Sequence, residues 1–446
     1  MKETICLNFG KAGFTLGGQL WKLYCIEHSI DLEGNYYGTQ KSIEMQGFYK
    51  PTKEKKYIPR SIFFDNEDDS LEELQKMGTS KLFSERNVMY GQTPSTKLFC
   101  NSLIDQEEMD KYFNCLLKNV EECSNVSEFL FFHSAGGGFS SGFFSQFTEQ
   151  CVEQFGKKFM CNFTIIPDFD LAEKEYELIN TVLCFPTIIE KMSLSLLFEN
   201  KVLASKCKNI SNLDLPTYSQ MNELILQPIS SLTTYNRFPN QYNLNCHEFL
   251  SGLQCYPSIH FPVLNHYPLI STKEKTEKMQ VSEEDLTFNV YNPKNCFQNI
   301  SFGDGYFVNA KLYYRGEIEI NKMKQAIAKL QNTNYNKFVN WVPNVYRAGV
   351  CEEPPSYSSE GLLTGVKKNV TALTDHGAMK NVFKDMIEKV DKLLKTNLMD
   401  NYYQKGIDQD QFLDAVEKLK TLYLDYDELC KNEIGDDLSE DDYEDF

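Results

Sequence analysis

Short, uninterrupted apolar runs alternate with helical patterns over the first two hundred residues. Residues 4–9 (TICLNF), 61–65 (SIFFD), 129–133 (FLFFH) and 159–166 (FMCNFTII) predict strands. Residues 10–18 (GKAGFTLGG) predict a glycine-bearing turn leading into an amphipathic helix through Tyr24, and residues 107–124 predict another helix. Strand–helix alternation of this kind points to an α/β fold, a parallel sheet with helices on both faces. Such sheets bind ligands at the C-terminal ends of their strands. A second region, about 200–377, mixes a helix (216–232), a Pro-rich loop (255–270) and strands (306–320 and 337–342). A third, 378–446, carries two long amphipathic patterns, 380–400 and 410–430, each with one face to press on the layer beneath. Internal repeats and long flexible linkers are missing from the pattern, so the regions 1–199, 200–377 and 378–446 are expected to dock tightly.

Composition narrows the partners. Of 446 residues, 45 are basic and 63 acidic, a net charge of −18 that disfavours binding to nucleic acid or anionic membranes. From Asp425 to Phe446 there are eleven acids against one base, Lys431. That density predicts a solvated tail, either a solubilising end or an electrostatic handle for basic partners. No run reaches the ~20 apolar residues of a membrane span, and the opening residues lack the apolar block of a secretory signal. The 14 cysteines include no CxxC pair, which signals neither a zinc cluster nor a thioredoxin-like motif. A reduced, cytoplasmic setting is expected.

The densest chemical signal is residues 129–144, FLFFHSAGGGFSSGFF. A strand runs into three glycines and then a helix, whose unpaired N–H groups and positive dipole end suit a phosphate. No GK[ST] follows, so it is not a Walker A loop. The same stretch contains G-x-S-x-G from Gly138 to Gly142, which reads alternatively as a hydrolase elbow with Ser140 as nucleophile. His247, His260, His266 and His376 follow it, with none singled out as the base.

These residues resemble the tubulins. Residues 6–34 are similar to the tubulin opening, and FHSAGGGFSSG (132–142) to the signature loop GGGTGSG. The likeness continues through 213–225, 243–262, 312–317 and 338–349 to an acidic tail ending in an aromatic residue. FHS before the glycines, Glu248, the residues 352–365 and the terminal Phe446 resemble the alpha subtype. The resemblance implies a Rossmann-like GTPase domain, an α+β intermediate domain and a C-terminal helical hairpin with an acidic tail. It implies a cytoskeletal subunit of microtubules that binds GTP, pairs with a beta-type tubulin and meets microtubule-associated proteins or motors through its tail.

Carried over by position, Asn200 and Asn222 would recognise guanine and Tyr218 would stack on it. Glu177 would contact ribose, and Ser134, Gly137, Gly138 and Ser140 would line the phosphates. Glu67, with Asp65 nearby, matches the acid near magnesium (Mg2+). Departures gather at the phosphates: Lys11 stands for a Gln, Phe139 for a Thr, Ser140 for a Gly and Glu173 for a Thr, and the loop 91–99 lacks the family's Ala/Asn-rich contacts. Lys11 reads either as a point charge in place of the metal or as a solvated turn lysine. Glu248 matches the acid that activates water at the nucleotide of the next subunit. Locally, Asn245 to Glu248 also reads as a capping box. Lys41 falls near the lumenal lysine that alpha-tubulins acetylate, and 272–285 lies where lateral contacts form. A tubulin paralogue that pairs without building ordinary lattices is the alternative reading.

Overall fold

The computed structural model describes residues 2–38, 44–91, 97–156, 158–170, 175–211, 215–238, 253, 256–272, 281–332, 337–342, 346–358, 361–395 and 398–430. The first half alternates β1 (Glu3–Phe9), α1 (Gly10–Glu27), the ribbon strands β2 (Tyr49–Pro51) and β3 (Tyr57–Pro59), β4 (Ser61–Asp65), α2 (Asp69–Lys76), β5 (Val88–Tyr90), α3 (Gln106–Glu121), β6 (Val126–Ser134), α4 (Gly138–Phe155), β7 (Phe159–Ile166), α5 (Glu175–Lys191), β8 (Leu194–Glu199) and α6 (Asn200–Ser211). Six of the strands form one parallel sheet in the order β5-β4-β1-β6-β7-β8. The order reverses between β1 and β6, which makes their C-terminal ends the topological switch point.

Period two sorts the strand side chains. Ile5, Leu7 and Phe9 of β1 and Phe129 and Phe131 of β6 join one apolar cluster with α3, α4 and α5. Cys6, Leu130 and Phe132 face the other way, into a cluster with α1. Both faces are covered, which is why these strands read as unbroken apolar runs.

The expected turn at 10–18 is instead the first half of α1. Its glycines are there for closeness: a Cβ on Gly13 would lie 2.7 Å from the Phe132 carbonyl oxygen, so only a bare backbone lets the helix sit this near the sheet.

The long helix α7 (Tyr218–Arg237), opened by a Thr217–Gln220 capping box, is buried along nearly its whole length. Beyond it come β9 (Val263–Tyr267), α8 (Glu283–Asn289), β10 (Phe307–Gly316), α9 (Ile320–Asn332), β11 (Tyr346–Cys351) and β12 (Lys368–His376). These strands form a mixed sheet in the order β11-β10-β12-β9. The strand expected over 306–320 ends at Gly316, and Ile320 already begins α9. Residues 337–342 do not form the expected strand. Lys337 and Val339 pair only with Phe307, because β11 takes over the edge of β10 from Ala310 onward. The Pro-rich loop at 255–270 contains β9.

The C-terminal patterns become α10 (Lys380–Leu394), the short α11 (Leu398–Tyr403) and α12 (Gln409–Glu428). The helix expected over 380–400 therefore ends early, at Leu394. α10 and α12 pack on each other, and α12 packs on α5. The Tyr426 hydroxyl accepts from the Phe261 N–H at 3.1 Å.

Candidate functional site

At the switch point two turns meet. β1 passes into α1 at Gly10, whose φ of +67° lies in the left-handed region that favours glycine. A Cβ there would stand 2.8 Å from Ser140 Cβ, so this turn rests directly on the first turn of α4. β6 passes into α4 through Ser134 to Gly137. Gly137 is the N-cap and supplies no side-chain cap, which leaves the first-turn N–H groups of Gly138, Phe139 and Ser140 facing the glycine loop. No acidic residue occupies that turn. The geometry is a cradle for an anion.

The cradle is braced from beneath. His133, fully buried, meets the Ser140 carbonyl through Nδ1 at 3.0 Å and the Thr164 hydroxyl through Nε2 at 3.1 Å. A carbonyl only accepts, so Nδ1 carries the proton and Nε2 accepts from Thr164, whose oxygen accepts from Asn162 at 2.6 Å. Burial pushes the imidazole down to about 3, so it stays neutral at physiological pH. Its ring stacks on Phe144 at 3.8 Å.

Ser140 is 5% exposed, and its hydroxyl donates to the Ser134 carbonyl at 2.7 Å. That hydroxyl has no bond to a histidine. His260, His266 and His376 bond elsewhere, and His247 lies outside the described residues. A hydrolase triad is therefore not assembled among the described residues. Phe139 also departs from expectation. Its ring stacks on Phe143 at 4.6 Å within the core, so its bulk turns away from the cradle and only its backbone serves it.

Lys11 is exposed on the first turn of α1. Asp65 ends β4 beside it, buried, with one oxygen accepting from the Asn66 N–H at 2.7 Å and the other from the Ser70 hydroxyl. Burial pushes this carboxyl up to about 6. The bonds from Ser70 and Asn66 and the Lys11 charge pull it back, while Glu67 pushes it further. Glu67 is half-buried just before α2. Both Asp65 oxygens are committed inside the chain, which leaves Glu67 as the carboxylate that would approach a Mg2+ held mainly by phosphate and water oxygens. Among the described residues no group of three His, Cys, Asp or Glu side chains converges to hold a metal.

The remaining expected contacts are carried by α5, α6 and α7. Glu177, in the first turn of α5, is half-buried against the glycine loop: a Cβ on Gly136 would be 3.1 Å from its Cβ. Asn200 opens α6 at the C-terminal end of β8. Tyr218 and Asn222 share one face of α7, which packs on α6; Tyr218 is 62% exposed and Asn222 is buried. A cavity of about 230 Å³ between α1, α7 and the residues Tyr357, Ser358, Gly361 and Leu363, lined also by Gln19 and Glu223, shares no residue with this set. Glu173, Glu248 with Asn245, Lys41, the greater part of 272–285 and the tail from residue 431 lie outside the described residues.

Pattern reading missed Asn180. It sits in α5 with no exposed surface, and its carboxamide bonds to Phe99 N–H, the Lys97 carbonyl and the Gly136 carbonyl at 2.9, 2.7 and 2.9 Å. The available signal was one carboxamide inside the apolar stretch LINTVLCF.

A parallel sheet of this order, with a glycine cradle and open helix-terminal amides at its switch point, defines a nucleotide-binding protein of the doubly wound class. Residues 3–208 match the GTPase domain of the Tubulin/FtsZ family, and residues 257–388 match the tubulin C-terminal domain. The chain is 30% identical to the tubulin alpha-1 chain of Arabidopsis thaliana, covering 100% of this chain and 99% of that one. It is 29% identical to the tubulin alpha-1B chain of Physarum polycephalum, over 99% of each. It is 28% identical to the tubulin alpha-1 chain of Emericella nidulans, over 99% of this chain and 100% of the relative. The chain belongs to the tubulin family, as a divergent alpha-tubulin-like member with a structural role of that kind.

Proposed function

We propose that this chain is a microtubule subunit that holds GTP in the Gly10–Ser140 cradle and pairs with a beta-type tubulin. The observation that carries the reading is the open first turn of α4, set against the Gly10 turn at the switch point. Phosphate oxygens accept from the amides of Gly138, Phe139 and Ser140, with Ser134 and Gly137 shaping the loop. Lys11 supplies positive charge from the α1 side. Glu67 stands near the phosphates, and Glu173 is a further nucleotide contact by position in the family. Glu177 accepts from ribose. Asn200 and Asn222 read the guanine edge with paired donors and acceptors, and the exposed face of Tyr218 covers the base.

Glu248 belongs to the same reading as the acid that orients water at the nucleotide of an adjacent subunit. The three regions 1–199, 200–377 and 378–446 then serve nucleotide binding, inter-subunit contact and the outer surface. There α12 and the acidic tail attract basic associated proteins or motors in the cytoplasm. Co-assembly tests the polymer half of the proposal. Mixed with a competent beta-type tubulin and GTP, the purified chain enters the pellet with the polymer. A chain that stays in the supernatant under all assembling conditions is a pairing or binding module instead.

A further inference from the structure

We propose that Asp170 is the positioning residue for guanine recognition by Asn200, and that through it the C-terminal helix α10 tunes the grip on the base; this rests on the GTP reading above. Asn200 opens α6 half-buried, and among the described residues its carboxamide hydrogen-bonds to no other residue. Its place is set instead by its two chain neighbours. Glu199, the last residue of β8, accepts from the Asn299 N–H at 2.8 Å, which ties it to the second region. Burial pushes that carboxyl up to about 7; the Asp385 charge adds to the rise, while Lys201 and Lys389 oppose it. Lys201, on the other side of Asn200, donates its ammonium to Asp170.

Asp170 bridges two ways. One carboxylate oxygen takes Lys201, and the other lies 3.0 Å from the ammonium of Lys389 on α10. Lys389 is the best-buried member, with its side chain 16% exposed. It lies 2.7 Å from Asp385 one turn back and 5.4 Å from the centre of the Phe169 ring. The two ammonium groups hold the Asp170 carboxyl down at about 2, so the bridge stays charged at physiological pH. The turn after β7, the first turn of α6 and α10 thus meet at one carboxylate. Because Lys201 follows Asn200 directly, any shift of this turn carries the carboxamide with it. Hydrogen bonds to a base edge weaken steeply when misaligned, whereas the phosphates and ribose rest on α4 and α5. Half-exposed ion pairs are individually weak, so the bridge adjusts the preference for guanine rather than creating it.

The test compares GTP with inosine triphosphate, which keeps the ribose and phosphates and lacks only the 2-amino group of guanine. Titrated into the full chain, GTP binds more tightly than the inosine analogue, and Asp170→Asn and Lys389→Ala each lower that preference about threefold. Lys389→Arg, which keeps the charge, retains it. Sodium chloride at about 0.5 M brings wild type down to the Asp170→Asn value and leaves that variant unmoved, since the ratio cancels the salt dependence of the shared phosphates. A merely structural role would weaken both nucleotides together or neither. Either result overturns the proposal, as does a wild type that does not discriminate between the two. A wild-type chain that takes up neither nucleotide overturns the GTP reading itself, and that failure is seen before any substitution is made.

Discussion

Glu27 carries the most consequential buried charge of the fold, and its neutralisation gives a quantitative test. Its carboxylate closes α1 with no exposed surface to speak of, 2.6 Å from Arg237 of α7 and 2.8 Å from Arg315 of β10. Arg237 also donates to the Ser230 carbonyl at 2.8 Å and lies over the Tyr24 ring at 4.0 Å; Arg315 donates to the Glu353 carbonyl at 3.0 Å. The three charges join the nucleotide-proximal layer, the central helix and the second sheet. Burial alone would raise the Glu27 carboxyl, but Arg315 and Arg237 outweigh it and hold it at about 2, against an ordinary 4.5. At about 1.4 kcal/mol per tenfold change in proton affinity, that difference is worth roughly 3 kcal/mol. It agrees with the ~3–5 kcal/mol typical when one partner of a buried pair is removed.

Because the folded pKa is depressed, this stability is present above pH 4.5 and is lost as pH falls toward 2. Glu27→Gln keeps the shape and leaves two guanidinium groups buried without a counter-charge. Urea unfolding at pH 7, followed by tryptophan emission, reads the change directly, since Trp21 is wholly buried on α1. The variant is expected to lose roughly 3 kcal/mol, and its stability should then depend less on pH between 4.5 and 2 than wild type does. A loss below about 1 kcal/mol with an unchanged acid limb would refute the reasoning.

Four further outcomes follow from the same geometry. Glu128 is buried, accepting from Thr4 at 2.9 Å and from Asn236, and burial pushes it up to about 7. Its folded pKa is raised, so stability falls as pH rises from 4.5 through 7, and Glu128→Gln should gain stability at pH 8 but not at pH 4 in parallel denaturation series. Thr164→Val removes the donor to His133 Nε2 and should cost about 1–2 kcal/mol, read by the same unfolding assay. A serine-reactive probe is expected to leave Ser140 unlabelled on folded protein, as mass spectrometry of its peptide would show. Glu248→Ala should slow GTP turnover in the assembled polymer while leaving the chain's own nucleotide in place; unchanged turnover returns Glu248 to a capping role.

The central strands were legible because both of their faces are covered, which leaves unbroken apolar runs at β1, β4, β6 and β7. β2, β3 and β5 are three residues each, too short to leave a period. The glycines of α1 pointed to a turn because sequence alone does not distinguish a left-handed bend at Gly10 from close packing at Gly13. The cradle itself was legible from the density of Gly and Ser after a strand. Its bracing was not. Asn180 and His133 act through partners tens of residues away, Asp65 is held by Asn66 and Ser70 across a turn that leaves no pattern, and the direction of the Phe139 ring depends on Phe143 one turn along.

Identifying the nucleotide carried by the natively purified chain tests the central claim most directly. Denaturation and chromatography of the supernatant should release about one guanine nucleotide per chain. A chain that releases none, and whose thermal unfolding is indifferent to added GTP and GDP, would contradict the account.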